Sequence, residues 1–191
     1  MNETDSGLVH RAMDGDRAAF EELVRRTSRL VFARLYLDTG NAHRAEDLTQ
    51  ETYLLAYRSL HKLADPGGFR SWLMTIAHSV LVDAVRHDAR LKRTAPPRAD
   101  TPLGSIPSRG RSPDAEAECE ERRQRVLAAL RSLPEDYRLP LALRYLVGSD
   151  YETISAQLGL TNGALRGQLH RGLRMLRDRL PAEFATELDP P

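Results

Sequence analysis

The stretch Ser149-Asp150-Tyr151-Glu152-Thr153-Ile154-Ser155-Ala156-Gln157-Leu158-Gly159-Leu160-Thr161-Asn162-Gly163-Ala164-Leu165-Arg166-Gly167-Gln168-Leu169-His170-Arg171 decides the fold. Ser149 to Glu152 has the spacing of a capping box, in which a serine hydroxyl and a glutamate satisfy amide donors at a helix start. The helix it opens runs to Leu158. Gly159-Leu160-Thr161 then makes a three-residue turn, with Gly159 as C-cap and Thr161 as the next N-cap. The following helix places Leu165, Leu169, Leu173, Leu176 and Leu180 on one face. Helix, short glycine turn, helix is the pattern of a helix-turn-helix.

At about 100° per residue, the face opposite those leucines carries Gly163, Gly167, His170, Arg171 and Arg174, with Arg166 and Gln168 on its shoulders. Arginines in that position contact guanine edges or phosphates, and Gln168 is placed to read adenine. Glycines on an exposed face let a backbone approach a groove wall.

Upstream of the motif, an acidic entry leads into Val126, Leu127, Leu130 and Leu133, and Pro134 starts a further helix with Leu139, Leu143 and Leu146. Residues 94–113 hold five of the eleven prolines and no hydrophobic period. Such a segment has too little apolar surface to offset its ordering entropy and reads as a flexible linker. It divides the chain into modules at 1–93 and 114–191. In the first, Phe69, Trp72, Leu73, Ile76, Ala77, Val80 and Ala84 fall at helical steps, as do Leu48, Thr52, Leu55, Ala56 and Leu63, and Phe20, Leu23, Val24, Val31 and Leu35. Asp65-Pro66-Gly67-Gly68 breaks the chain between helices. No strand-like alternation occurs. The expected fold is all-α, two small helical domains joined by a proline-rich linker, the second with a helix-turn-helix.

The 191 residues are 41% hydrophobic and 29% charged, with a formal net charge of +1. That near-neutral total hides a segregation of sign, which matters because attraction to a polyanion depends on local patches. Arg166, Arg171, Arg174, Arg177 and Arg179 face one acid, Asp178, within 161–180; Arg86, Arg90, Lys92, Arg93 and Arg98 face Asp83 and Asp88 within 81–98. Asp114, Glu116, Glu118, Glu120 and Glu121 form an acidic stretch, a candidate to lie near a basic helix and mask it. The single Cys119 excludes an internal disulfide and a cysteine zinc site. No signal sequence and no apolar run near the ~20 residues of a membrane span are present, so a cytoplasmic protein without membrane insertion is expected. The six histidines lack metal spacing, no glycine-rich phosphate loop follows a strand, and Asp14-Gly15-Asp16 reads as a helix cap rather than a calcium loop. No catalytic residue, metal or cofactor is expected, and the chain does not read as an enzyme.

Several segments resemble, in order and spacing, the extracytoplasmic-function sigma factors, promoter-recognition subunits of bacterial RNA polymerase in the sigma-70 family. Ala45-Glu46-Asp47-Leu48-Thr49-Gln50-Glu51-Thr52-Tyr53 resembles the helix that holds the polymerase, and Phe69-Arg70-Ser71-Trp72-Leu73-Met74-Thr75-Ile76-Ala77-His78 the promoter-melting helix. Leu130-Arg131-Ser132-Leu133-Pro134, Tyr151-Glu152-Thr153-Ile154-Ser155 and Gly163 to Gly172 are similar to the family's second domain.

The resemblance implies that Asp47, Gln50, Glu51, Tyr53 and Arg58 bind the β′ coiled coil, and that the second domain meets the β flap of core polymerase. It implies minus-10 contacts from Asp65, Gly67, Gly68, His78, Ser79, Val82 and Asp83, with Arg86, Arg90, Lys92 and Arg93 on the backbone. It implies minus-35 contacts from Thr161, Asn162, Arg166, Gly167, Gln168, His170, Arg171 and Arg174. An anti-sigma factor is an implied partner beside promoter DNA. The sequence departs from the family pattern at Gly167 and Gln168, where serine and arginine are usual, at Pro140 inside a helix, and at His78-Ser79, where asparagine is common. A conventional regulator, binding DNA as a helix-turn-helix dimer, is the alternative.

Overall fold

A computed structural model describes residues 3–94 and 113–180. The linker expected at 94–113 falls outside these except for its two end residues. The described chain holds eight α-helices: α1 Asp5–Met13, α2 Arg17–Thr39, α3 Ala42–Ser59, α4 Phe69–Thr94, α5 Pro113–Arg131, α6 Glu135–Leu141, α7 Tyr151–Leu158 and α8 Asn162–Arg177. No strand occurs among the described residues.

Local chemistry sets the boundaries. Asp16 caps α2, its carboxylate accepting from the Ala19 amide at 3.2 Å, as the Asp14-Gly15-Asp16 spacing predicts. Asn41 caps α3 through the Arg44 amide. Asp65 accepts from the Gly67 amide at 2.9 Å and opens the short 3-10 turn Pro66–Gly68 before α4.

The first domain closes α1 to α4 around Leu8, Val9, Leu23, Val31, Leu35, Leu48, Phe69, Leu73 and Val80. Tyr53 is buried in this core. The Thr27 hydroxyl gives its one proton to the Leu23 carbonyl, so the Tyr53 hydroxyl, 2.8 Å away, donates to Thr27. Burial pushes that phenol well above its ordinary range. Leu55 is exposed rather than part of the apolar face, which instead runs through Ala45, Leu48, Thr52, Tyr53 and Ala56.

In the second domain the helix begun at Pro134 divides. Pro140 brings no amide proton to α6, and the chain then widens into a π-helical turn at Ala142–Leu146, closed by the Val147 amide on the Ala142 carbonyl at 3.1 Å. The capping box is also revised. Asp150, not Ser149, is the N-cap of α7, and its carboxylate accepts from the Thr153 amide at 2.7 Å and the Thr153 hydroxyl at 2.9 Å. Ser149 is buried with its hydroxyl unpartnered. Aspartate caps at least as well as serine and adds a charge favoured by the helix dipole, so the adjacent residue takes the position. The turn after α7 follows the sequence reading: Gly159 adopts φ +67°, a left-handed conformation that side chains disfavour, and Thr161 accepts from the Ala164 amide at 3.2 Å.

The two domains pack together, which the linker did not foretell. Leu30, Ala33 and Leu37, on the face of α2 turned away from the first core, join the second core with Leu130, Leu133, Leu141, Leu143, Ile154 and Leu165.

Candidate nucleic-acid interface

The recognition helix α8 is built as its leucine period requires. Leu165, Leu169, Leu173 and Leu176 are buried, while Arg166, His170, Arg171 and Arg174 are exposed. Gly172 sits against α6, where an added Cβ would lie 3.0 Å from Leu141 and 3.2 Å from Tyr137. On the outer face an added Cβ at Gly163 would meet nothing within 4 Å, whereas at Gly167 it would lie 3.4 Å from the Arg171 guanidinium.

Aromatic rings position the arginines. The Arg144 and Arg166 guanidiniums lie 5.1 and 6.0 Å from the Tyr151 ring centroid, and Arg171 lies 5.9 Å from that of Tyr137. Such contacts restrict a flexible side chain without neutralising its charge. Sequence reasoning missed Tyr137, Arg144 and Tyr151; the arginine spacing on α8 is visible in the sequence, but the rings come from α6 and α7 and meet it only in the fold.

Among the predicted minus-35 residues, Thr161 spends its hydroxyl on the cap and the Asn162 amide oxygen accepts from Ser155 at 2.9 Å. Gln168 is half-buried, and its amide oxygen is turned into the protein without a partner. Reading adenine needs that oxygen to accept from N6, which requires the side chain to turn outward from this position.

The second candidate face lies on α4. His78, Ser79, Asp83, Arg86 and Arg90 are exposed and Val82 is half-buried, in helical register along one side. Val85, exposed, joins them and had not been singled out. Asp83 pairs with Arg86 at 3.7 Å. Asp65 and Gly67 are exposed and Gly68 half-buried at the head of the helix, although the Asp65 carboxylate is occupied by its cap. The side chains of Lys92 and Arg93 lie outside the described residues.

The third surface is the outer face of α3. Asp47, Gln50, Glu51 and Arg58 are exposed, as predicted, together with Leu54, Leu55 and Tyr57, which sequence reasoning did not assign to a site. Exposed leucines beside acids are unusual on a solvated face. Tyr53 does not belong to this group: it points inward to Thr27 and supports the helix. The acidic stretch does not cover a basic helix through its described residues, since Glu118, Glu120 and Glu121 pair with Arg122, Arg123 and Arg125 of their own α5.

Two family models match the chain, Sigma-70 region 2 over residues 23–91 and Sigma-70 region 4 over residues 123–176. The RNA polymerase sigma factor CarQ of Myxococcus xanthus is 35% identical over 178 residues, covering 90% of this chain and 95% of its own length. The chain belongs to the extracytoplasmic-function sigma factors of the sigma-70 family. The sigma factor SigE of Mycolicibacterium smegmatis is 36% identical over 169 residues, which are 87% of this chain and 64% of that longer relative. A solved structure of CnrH in complex with the cytosolic domain of CnrY aligns over 92% of this chain and 96% of its own, with 24% identity and a TM-score of 0.47.

Membership orders the three surfaces. Region 2 holds α3 and most of α4, and region 4 runs from within α5 to near the end of α8. The sigma factor is a transcription-initiation protein that works with RNA polymerase and DNA, and not an enzyme. No described helix is long and apolar enough to cross a membrane.

Proposed function

We propose that this sigma factor docks on core RNA polymerase through the outer face of α3 and reads a promoter at two elements, α8 taking the minus-35 and α4 with the Asp65–Gly68 turn taking the minus-10. The observation that carries the reading is the exposed row Arg166, His170, Arg171 and Arg174, backed by a leucine core and braced by Tyr151 and Tyr137.

On α3, Leu54 and Tyr57 supply the apolar centre of the polymerase contact and Asp47, Glu51 and Arg58 its charged rim, an arrangement suited to the β′ coiled coil. The second domain then meets the β flap. At the minus-10 element the rim of α4 captures unstacked bases of one strand, with Arg86 and Arg90 on phosphates, offsetting the unstacking by pocket and backbone contacts. The protein acts in the cytoplasm, and an anti-sigma factor is its regulatory partner.

Run-off transcription from genomic promoter fragments with purified core polymerase tests this. Discrete new transcripts only in the presence of the protein are expected. No transcripts, together with binding of the isolated protein to a palindromic duplex, would replace this reading with the dimeric regulator.

A further inference from the structure

The seam between the two domains leaves a cleft of about 480 Å³ walled by α1, α2, α4 and α7. Four guanidiniums line it, those of Arg25, Arg26 and Arg29 on α2 and of Arg70 on α4, against two carboxylates, Asp5 and Glu22. Arginine stays charged throughout the physiological range, so the lining carries an excess of two positive charges.

The two acids are shared among three of the arginines. Glu22 accepts from the Arg25 and Arg26 Nε atoms, each at 2.7 Å, while Asp5 accepts from Arg26 at 3.1 Å and from the Arg70 Nε at 2.7 Å. Arg26 also donates to the Glu3 carbonyl at 2.7 Å, and Arg70 to the Ala156 carbonyl of α7. Among the described residues no acid pairs with Arg29, which is exposed. Its charge helps to hold the Asp150 carboxyl below the ordinary range, yet that carboxylate is committed to capping α7. It accepts from the Thr153 amide at 2.7 Å and the Thr153 hydroxyl at 2.9 Å, and Thr153 itself forms part of the cleft wall. Arg25 and Arg29 stand four residues apart on one face of α2, a spacing at which like charges repel. A network that only tied helices together would balance its charges. Here the surplus is gathered in a concave space, where surrounding protein focuses the field.

We propose that this cleft binds a small molecule carrying a diphosphate, with Arg25 and Arg29 as its principal donors and Arg26 and Arg70 as a fixed cationic wall behind them. A diphosphate brings the two or more negative charges that the lining lacks, and its oxygens match the forked donors of guanidinium groups. Asp5 and Glu22 hold Arg26 and Arg70 in place beforehand, so the ordering cost of binding falls mainly on Arg29 and on Arg25, whose side chain is 79% exposed. The volume lies in the range of small-molecule sites and exceeds what a lone phosphate fills. Neither polymerase nor promoter takes part, so the proposal stands apart from the two-element reading above.

Isothermal titration of the full chain with inorganic pyrophosphate, without magnesium and at roughly 0.15 M salt to screen long-range attraction, tests the site. Saturable one-to-one binding with Kd below about 1 mM is expected. Arg29→Ala is expected to weaken it about tenfold, through loss of a charge-assisted donor. Arg17→Ala, which removes an exposed arginine of α2 outside the cleft, is expected to leave it unchanged. Should Arg29→Ala lose helicity by circular dichroism, Arg25→Ala carries the same test. Absence of saturable binding, equal affinity in wild type and the folded cleft variant, or an equal loss in Arg17→Ala overturns the site. Orthophosphate binding as tightly as pyrophosphate overturns the diphosphate assignment. ADP separates the two sources of that group: tighter binding than pyrophosphate assigns a nucleotide, and equal or weaker binding assigns the inorganic ion.

Discussion

The two hydrophobic cores differ in ownership. The first is made from α1 to α4 and the 3-10 turn that follows α3, with Leu23, Leu35, Phe69 and Leu73 sealed inside one domain, whereas the second contains Leu30, Ala33 and Leu37 lent by α2. One long helix serves both: positions 23, 27, 31 and 35 face inward, and 30, 33 and 37 face the neighbour. A helix buried on two sides couples domains that the chain joins through a proline-rich segment. The first domain is therefore expected to stand alone, and the second to lean on it.

The sharpest way to break that contrast is Leu23→Ala. Cavity formation in the self-contained core should cost the first domain about 2–5 kcal/mol, seen as a lower urea midpoint. Leu37→Ala should cost about 2 kcal/mol but appear in the transition of the second domain, because the lost contacts are on that side. An unmoved second transition would make that core independent. Arg166→Ala should weaken minus-35 binding by about 1–3 kcal/mol in a filter or anisotropy titration while shifting stability by less than about 0.5 kcal/mol. Thr161→Ala, removing the α8 cap, should cost about 1 kcal/mol of second-domain stability, read by thermal melting.

The smallest effect concerns pH. Bonds from the Thr153 amide and hydroxyl hold the Asp150 carboxyl below its ordinary value of 3.8. A carboxyl lowered in the folded state contributes stability above that ordinary value and loses it as pH falls through the folded one. Amide protection at the head of α7, taken relative to an unstructured chain at the same pH, should therefore fall below about pH 4, and Asp150→Asn should remove that acid dependence.

Much of the architecture was legible because periodicity is a local signal. Leu165, Leu169, Leu173 and Leu176 announce a buried stripe, and Gly159 with Thr161 announces the turn before it. The α8 arginines follow from the same spacing. What escaped was decided by tertiary contact. Tyr53 looks like a surface residue beside Glu51 until Thr27 offers it a hydroxyl across the helix pair. Gln168 looks like a base reader until its amide turns toward the packed flank of α8. Tyr151 reaches Arg166 only because the Gly159 turn brings two helices together. The seam was hidden for the same reason: Leu30, Ala33 and Leu37 read as further apolar positions of one helix, and only the partner domain distinguishes them.

The single tryptophan, Trp72, lies half-buried against the first core with its ring centroid 6.0 Å from that of Phe69. Light absorbed at the red edge of the protein spectrum is therefore emitted from one domain only. Emission from the native chain reports on the half that owns its core, while circular dichroism sums over both halves. The separation between those two unfolding curves is a built-in gauge of how tightly the halves are coupled, with no dye attached and no residue replaced.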